Sequence, residues 1–161
     1  MAELPRIESG DVPQANIIAR VVELVRAVAR DGRLQSFPHK RDRAFYFKAA
    51  RALGLVEGYA PTPRGRSLAE LEGPHLAAAL REAFQQSRVG RAWLDWQGAS
   101  SIDGIDAGAA QRFLAERSNI AQTTQRRRAS TLTHWVRALQ AAASGELVLA
   151  PHIWASRASL E

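Results

Sequence analysis

Two separate stretches of this chain place apolar residues on one face of a helix and basic residues on another, and that doubled pattern constrains the fold most. In the first, about Lys40 to Leu53, a rotation of about 100° per residue puts Tyr46, Ala49, Ala50 and Leu53 on one side. Lys40, Arg41, Ala44, Lys48 and Arg51 fall on the other, with Phe47 at the boundary. In the second, Thr123 to Leu139, the inward residues are Leu132, Trp135, Val136 and Leu139. Thr123, Arg126, Arg127, Ser130, His134 and Arg137 face outward, while Arg128 falls near the apolar side as a partly buried or paired residue. Each helix needs neighbours to cover its apolar face, so the expected fold is mainly α.

Local signals divide the chain around these helices. Residues 1–12 hold Pro5 and Gly10 with little periodicity and read as a flexible arm. From Asn16, a wide apolar stripe of Ile17, Ile18, Val21, Val22, Leu24, Val25 and Val28 predicts a helix that stops at Asp31-Gly32. Leu34 to Phe37 reads as a short strand or a reduced second helix. Gly54 ends the first basic helix, Leu55-Val56 begins a strand, and Tyr59-Ala60-Pro61 forms a hairpin region. Thr62-Pro63 then caps and starts another helix.

Residues 13–74 thus make a first helix-turn-helix-like unit, and residues 75–98 a connecting helix with Leu76, Leu80, Ala83 and Phe84 in one stripe. The segment from Gly98 to Gly108 is the domain boundary by composition, and residues 99–150 form the second unit. There a helix from about Ala107 to Glu116 turns inward Ala110, Phe113 and Leu114. Ile120 plugs the core, and Thr123 or Thr124 caps the long basic helix, which ends at Ser144-Gly145. Glu146 to Leu149 reads as a strand, and residues 151–161 as a loose tail.

The run Tyr46-Phe47-Lys48-Ala49-Ala50-Arg51-Ala52-Leu53-Gly54-Leu55, followed by Thr62-Pro63-Arg64-Gly65, resembles the Y-x-x-A-A-x-x-L-G-L … L-T-x-x-G signature of prokaryotic winged-helix domains. The run from Thr124 through Arg127, Arg128 and Thr131 to Trp135 is similar to the T-x-x-R-R-x-x-T-x-x-x-W segment that follows such domains. The pair is associated with accessory modules of restriction-type and AAA-ATPase-linked phage-defence proteins. The resemblance implies tandem winged helix-turn-helix units with short β wings. Two departures stand out: the second helix of the first unit is shortened, and Pro61 precedes Thr62 where an apolar residue is usual.

Charge then narrows the partner. With 22 Lys plus Arg against 16 Asp plus Glu, the net charge is +6, and lysine occurs only at Lys40 and Lys48. Arginine presents a planar fork that suits phosphates and base edges. The base composition of a gene can also raise its arginine count, so placement on one face matters more than number. The expected partner is double-stranded DNA, and with the resemblance above this implies a transcription regulator or the DNA-engaging accessory of a prokaryotic defence system. Arg126, Arg127, Ser130, His134 and Arg137 are the contacts expected from the second unit, and Lys40, Arg41, Lys48, Arg51, Arg64 and Arg66 those from the first. Three consecutive arginines near a helix N-terminus oppose the helix dipole, a cost that a bound phosphate would relieve. The alternative is an interaction module that docks a partner subunit of a defence or restriction complex without touching DNA. A homodimer is compatible with either reading.

Catalysis is not expected. His39, His75, His134 and His152 are scattered, and there is no cysteine to complete a thiolate zinc site, so neither metal nor cofactor is expected. The chain has no P-loop and no dinucleotide fingerprint, and Asp103 and Asp106 lack the lysine that a restriction-type nuclease centre needs beside its carboxylates. No apolar run approaches a membrane span, and Met1 to Arg6 does not read as a signal peptide, so the expected location is cytoplasmic.

Overall fold

Residues 4–15, 17–32 and 40–142 are described by the computed structural model; the expected strand or reduced helix at residues 34–37, the expected helix stop at residues 144–145, the expected strand at 146–149 and the tail lie outside them. The wide apolar stripe of the first periodic segment becomes α1, Ile18–Asp31, in which Val21, Val22, Leu24, Val25 and Val28 are all fully buried. It ends at Gly32, where φ is 70°. The first basic helix is α2, Lys40–Ala52. Tyr46, Ala49, Ala50 and Leu53 are buried as their phase predicts. Phe47 is buried too rather than lying at the boundary, because the ring of Tyr59 packs edge-on against it at 5.0 Å.

The hairpin that follows is very short. β1, Val56–Glu57, pairs antiparallel with β2, Ala60–Pro61, and the chain then enters α3, Pro63–Ala69. Thr62 caps α3 as expected: its Oγ1 accepts from the Gly65 N–H at 3.0 Å and donates to the Gly54 carbonyl at 2.7 Å. The α3 backbone lies so close to Leu55 that a Cβ on Gly65 would sit 2.0 Å from the Leu55 carbonyl oxygen. Only glycine allows that approach.

The connecting segment differs from the expected single helix. It is two helices packed on each other, α4 at Gly73–Gln86 and α5 at Arg88–Gln97, broken at Ser87 (ψ 160°). The break has a local cause. Ser87 Oγ donates to the Phe84 carbonyl at 2.6 Å and accepts from the Gly90 N–H at 3.1 Å, ending one helix and capping the next. A Cβ on Gly90 would lie 1.8 Å from the Phe84 oxygen, so the glycine is what permits the corner.

In the second half, a short 3-10 turn at Ala107–Ala109 leads into α6, Ala110–Arg117, and a turn then leads into α7, Gln122–Ala141. Ile120 is buried between them as predicted. Neither Thr123 nor Thr124 is the cap. Ala121 holds that position with no side-chain bond, its carbonyl accepting from the Thr124 and Gln125 amides. The chain is thus mainly helical, with seven α-helices and one two-stranded antiparallel sheet among the described residues.

The expected arm and the expected boundary segment are both tied into this body. In the arm, Ile7 is buried; its N–H donates to the Arg117 carbonyl and its carbonyl accepts from the Asn119 amide, both at 2.9 Å. Arg6 adds bonds to Asn119, Glu116 and Ser118. In the Gly98–Gly108 segment, Ile102 and Ile105 are buried, and the side-chain amide of Gln140 donates to both of their carbonyls. Buried apolar side chains from Ile7 to Leu139 form one contiguous cluster that includes residues of all seven helices.

Candidate nucleic-acid interface

α7 presents its polar residues as the helical phase requires. Leu132, Trp135, Val136 and Leu139 are fully buried, and Arg126, Arg127, Ser130, His134 and Arg137 are exposed along one face with Thr123. The helix contains no Asp or Glu. Among the described residues, Arg126, Arg127 and Arg137 have no carboxylate within ion-pair distance. The stripe is therefore a row of charge without acidic partners among the described residues. Because the helix starts at Gln122, the arginine run falls in its second turn rather than its first. The dipole effect fades within the first turn, so it does not bear on these arginines.

Arg128 is the exception within the run, and it turns inward. Its guanidinium donates to Ser9 Oγ at 3.0 Å and, with the Gln14 amide oxygen turned toward it, reaches that oxygen at 2.5 and 2.7 Å. Burial, followed by the neighbouring charge of Arg127, lowers its pKa. Arg128 is a fastener between α7 and the N-terminal segment, not a surface contact.

The first basic helix is put to a different use. Lys48 and Arg51 are exposed; the side chains of Lys40 and Arg41 lie outside the described residues. Arg51 is pinned to the hairpin: its Nε donates to the Gly58 carbonyl at 2.8 Å, and its guanidinium lies over the Tyr59 ring at 5.0 Å. Arg64 and Arg66 are exposed on α3, where Arg64 donates to Gln86 Oε1. Arg66 borders a shallow recess with Arg26, Arg30 and Glu70.

Of these residues, Arg51 and Arg64 come together at a single cleft, joined by Arg88 and Arg91, which are not among the contacts expected from the sequence. Ser87 carried a signal for them. Serine is a favoured N-cap, and a helix starting after Ser87 puts Arg88 and Arg91 on one face of the new helix.

None of the residues of the α7 stripe lines the cleft. Ser9, which holds Arg128, adjoins Gly10 and Asp11 on the wall of the cleft. On the helix, the centre of the stripe is about 150° around from Arg128 at 3.6 residues per turn.

No family model matches the chain, and no curated protein or solved structure matches it. No helix among the described residues is long and apolar enough to cross a membrane.

Proposed function

We propose that this protein binds double-stranded DNA through the exposed face of α7, with Arg126, Arg127 and Arg137 on phosphates or base edges and Ser130 and His134 between them. The observation that carries the reading is the composition of that face: three exposed arginines on one rigid helix, with no acid on the helix and no ion pair among the described residues. Ordinary solvated helices intersperse both signs of charge, whereas a groove or backbone reader does not.

The helix order of the two halves supports tandem winged helix-turn-helix units. In the first, α1 and α2 precede the β1–β2 hairpin, with Tyr59 at its tip 70% exposed. In the second, α6, a short turn and α7 make a helix-turn-helix with α7 as the reading helix. The role proposed is that of a regulator or of the DNA-engaging accessory of a prokaryotic defence system, acting in the cytoplasm. Docking of a partner subunit finds less support, because Leu4 and Tyr59 are the exposed large apolar residues among those described. Such interfaces have a desolvated core of aromatic and aliphatic residues.

The test is fluorescence anisotropy of a labelled duplex at low salt. The reading expects saturable binding by the parent and marked weakening when Arg126, Arg127 and Arg137 are changed to alanine together. No binding by the parent would overturn it.

A further inference from the structure

Four arginines from three different helices line one cleft of about 320 Å³: Arg51 at the end of α2, Arg64 on α3, and Arg88 and Arg91 on α5. We propose that this cleft is a binding site for a phosphate-bearing small molecule, separate from the DNA-binding face of α7.

The charge balance is the first argument. The one carboxylate on the cleft wall is Asp11, so four arginines share the lining with a single acid, a formal excess of three positive charges. Even that carboxylate is partly committed. Asp11 Oδ2 accepts from the Glu8 amide at 2.9 Å, and Oδ1 stands 3.7 Å from Arg88, a loose ion pair. The remaining partners are neutral: Gln86 for Arg64, and the Gly58 carbonyl with the Tyr59 and Phe47 rings for Arg51. The side chain of Arg91 has no hydrogen-bond or ion-pair partner among the described residues. Gathering like charges in one concavity raises the energy of the empty site, and an anion there converts the repulsion into attraction.

Shape is the second argument. Gly10 and Gly54 contribute backbone but no side chain to the lining. A Cβ on Gly10 would meet nothing within 4 Å, and one on Gly54 would meet only the Arg64 Nη1 at 3.8 Å. The volume falls in the usual small-ligand range of about 300–1,000 Å³. Guanidinium groups approaching from several helices match the oxygens of a phosphate, each able to donate two parallel bonds. The nearby Arg51–Gly58 bond, together with the Ser87 cap, holds two of the contributing elements in place before any ligand arrives.

Inorganic pyrophosphate is the probe, titrated calorimetrically into the full chain, with Arg91→Ala, Arg88→Ala and Arg126→Ala/Arg127→Ala as variants. These side chains are exposed, so circular dichroism should show all variants folded; Arg91→Lys, which keeps the charge, is the second check. The proposal expects binding by the parent, an affinity loss of about tenfold in Arg91→Ala or Arg88→Ala, partial recovery in Arg91→Lys, and unchanged affinity in the α7 double variant. It also expects the Arg91→Ala variant to bind duplex DNA like the parent, and saturating pyrophosphate not to displace the duplex. No pyrophosphate binding, or binding lost only in the α7 variant, would overturn the site. If duplex and pyrophosphate competed and Arg91→Ala weakened both, the cleft would be a seat for a DNA backbone phosphate, and the small-molecule assignment would fall. Loss of DNA binding in the α7 variant alone bears on the DNA reading and leaves the cleft untouched.

Discussion

The indole N–H of Trp135 donates to the carbonyl of Ala15 at 2.6 Å, fastening the middle of α7 to the segment that leads into α1. Trp93 is equally buried, with its ring stacked on Phe113 at 5.2 Å, yet its Nε1 has no acceptor among the described residues. Trp135→Ala should cost about 3–5 kcal/mol by cavity formation. The sharper comparison is with phenylalanine. Trp135→Phe strands a buried carbonyl, a penalty of about 1–3 kcal/mol beyond the lost volume, whereas Trp93→Phe removes an N–H that is already unsatisfied. Urea denaturation should rank Trp135→Phe as the more destabilised variant; the reverse order would contradict the assigned bond.

Two helix starts depend on backbone contact through a glycine. Gly65→Ala and Gly90→Ala would each press a methyl against a carbonyl oxygen, at Leu55 and Phe84 respectively, and should cost about 1–3 kcal/mol or more as the helices move apart. Gly10→Ala meets open space and should be close to neutral. Thermal denaturation of the three variants checks the contrast.

Two carboxylates should shape stability at acid pH in opposite directions. Burial pushes the Glu23 pKa above its ordinary 4.5, against the lowering influence of Arg20 and Arg26. Between 4.5 and the raised value the folded state holds more protons than the unfolded one, so stability falls as pH rises through that window. Glu23→Gln should remove this fall. The hydrogen bond from Arg81 holds Asp103 below its ordinary 3.8, so its contribution is present above that value and is lost as pH drops through the lower one. Asp103→Asn should flatten that acid limb, by a small amount because the pair is open to solvent. Chemical denaturation at a series of pH values would separate the two; slopes of the opposite sign would refute the assignment.

The buried position of Ile7 makes the N-terminal segment part of the fold. Ile7→Ala should cost about 2–5 kcal/mol, as for other buried aliphatic truncations, where a free arm would show no change in denaturation midpoint.

That segment also shows where the sequence stopped being readable. The faces of α1, α2 and α7 followed from periodicity because each residue's burial there is set by neighbours three and four positions away. The inward turn of Arg128 was readable on the same basis. Ile7 has no such periodic context; its pairing partners, Arg117 and Asn119, are set by how the chain returns on itself. The Ser87 break was present in the sequence as a serine cap and a glycine, but the apolar run on either side masked it. Arg88 and Arg91 could be placed on one helix face from that cap, yet their meeting with Arg51 and Arg64 depends on the packing of three helices, and no local pattern encodes it. Likewise the α7 stripe was legible as a surface, whereas its turning away from the N-terminal segment beside the cleft emerged only through the Arg128–Ser9 bond.

The central claim is that the exposed arginines of α7 neutralise DNA phosphates, and the salt dependence of duplex binding measures that most directly. The logarithm of affinity should fall linearly with the logarithm of salt concentration, with a slope of about −0.9 for each phosphate neutralised. Replacing Arg126 and Arg127 by alanine should flatten that slope by up to about two such increments while leaving the melting temperature nearly unchanged, because exposed arginines contribute little to the fold. A double variant with the parent's slope and affinity would contradict the claim and favour α7 as a protein-docking face.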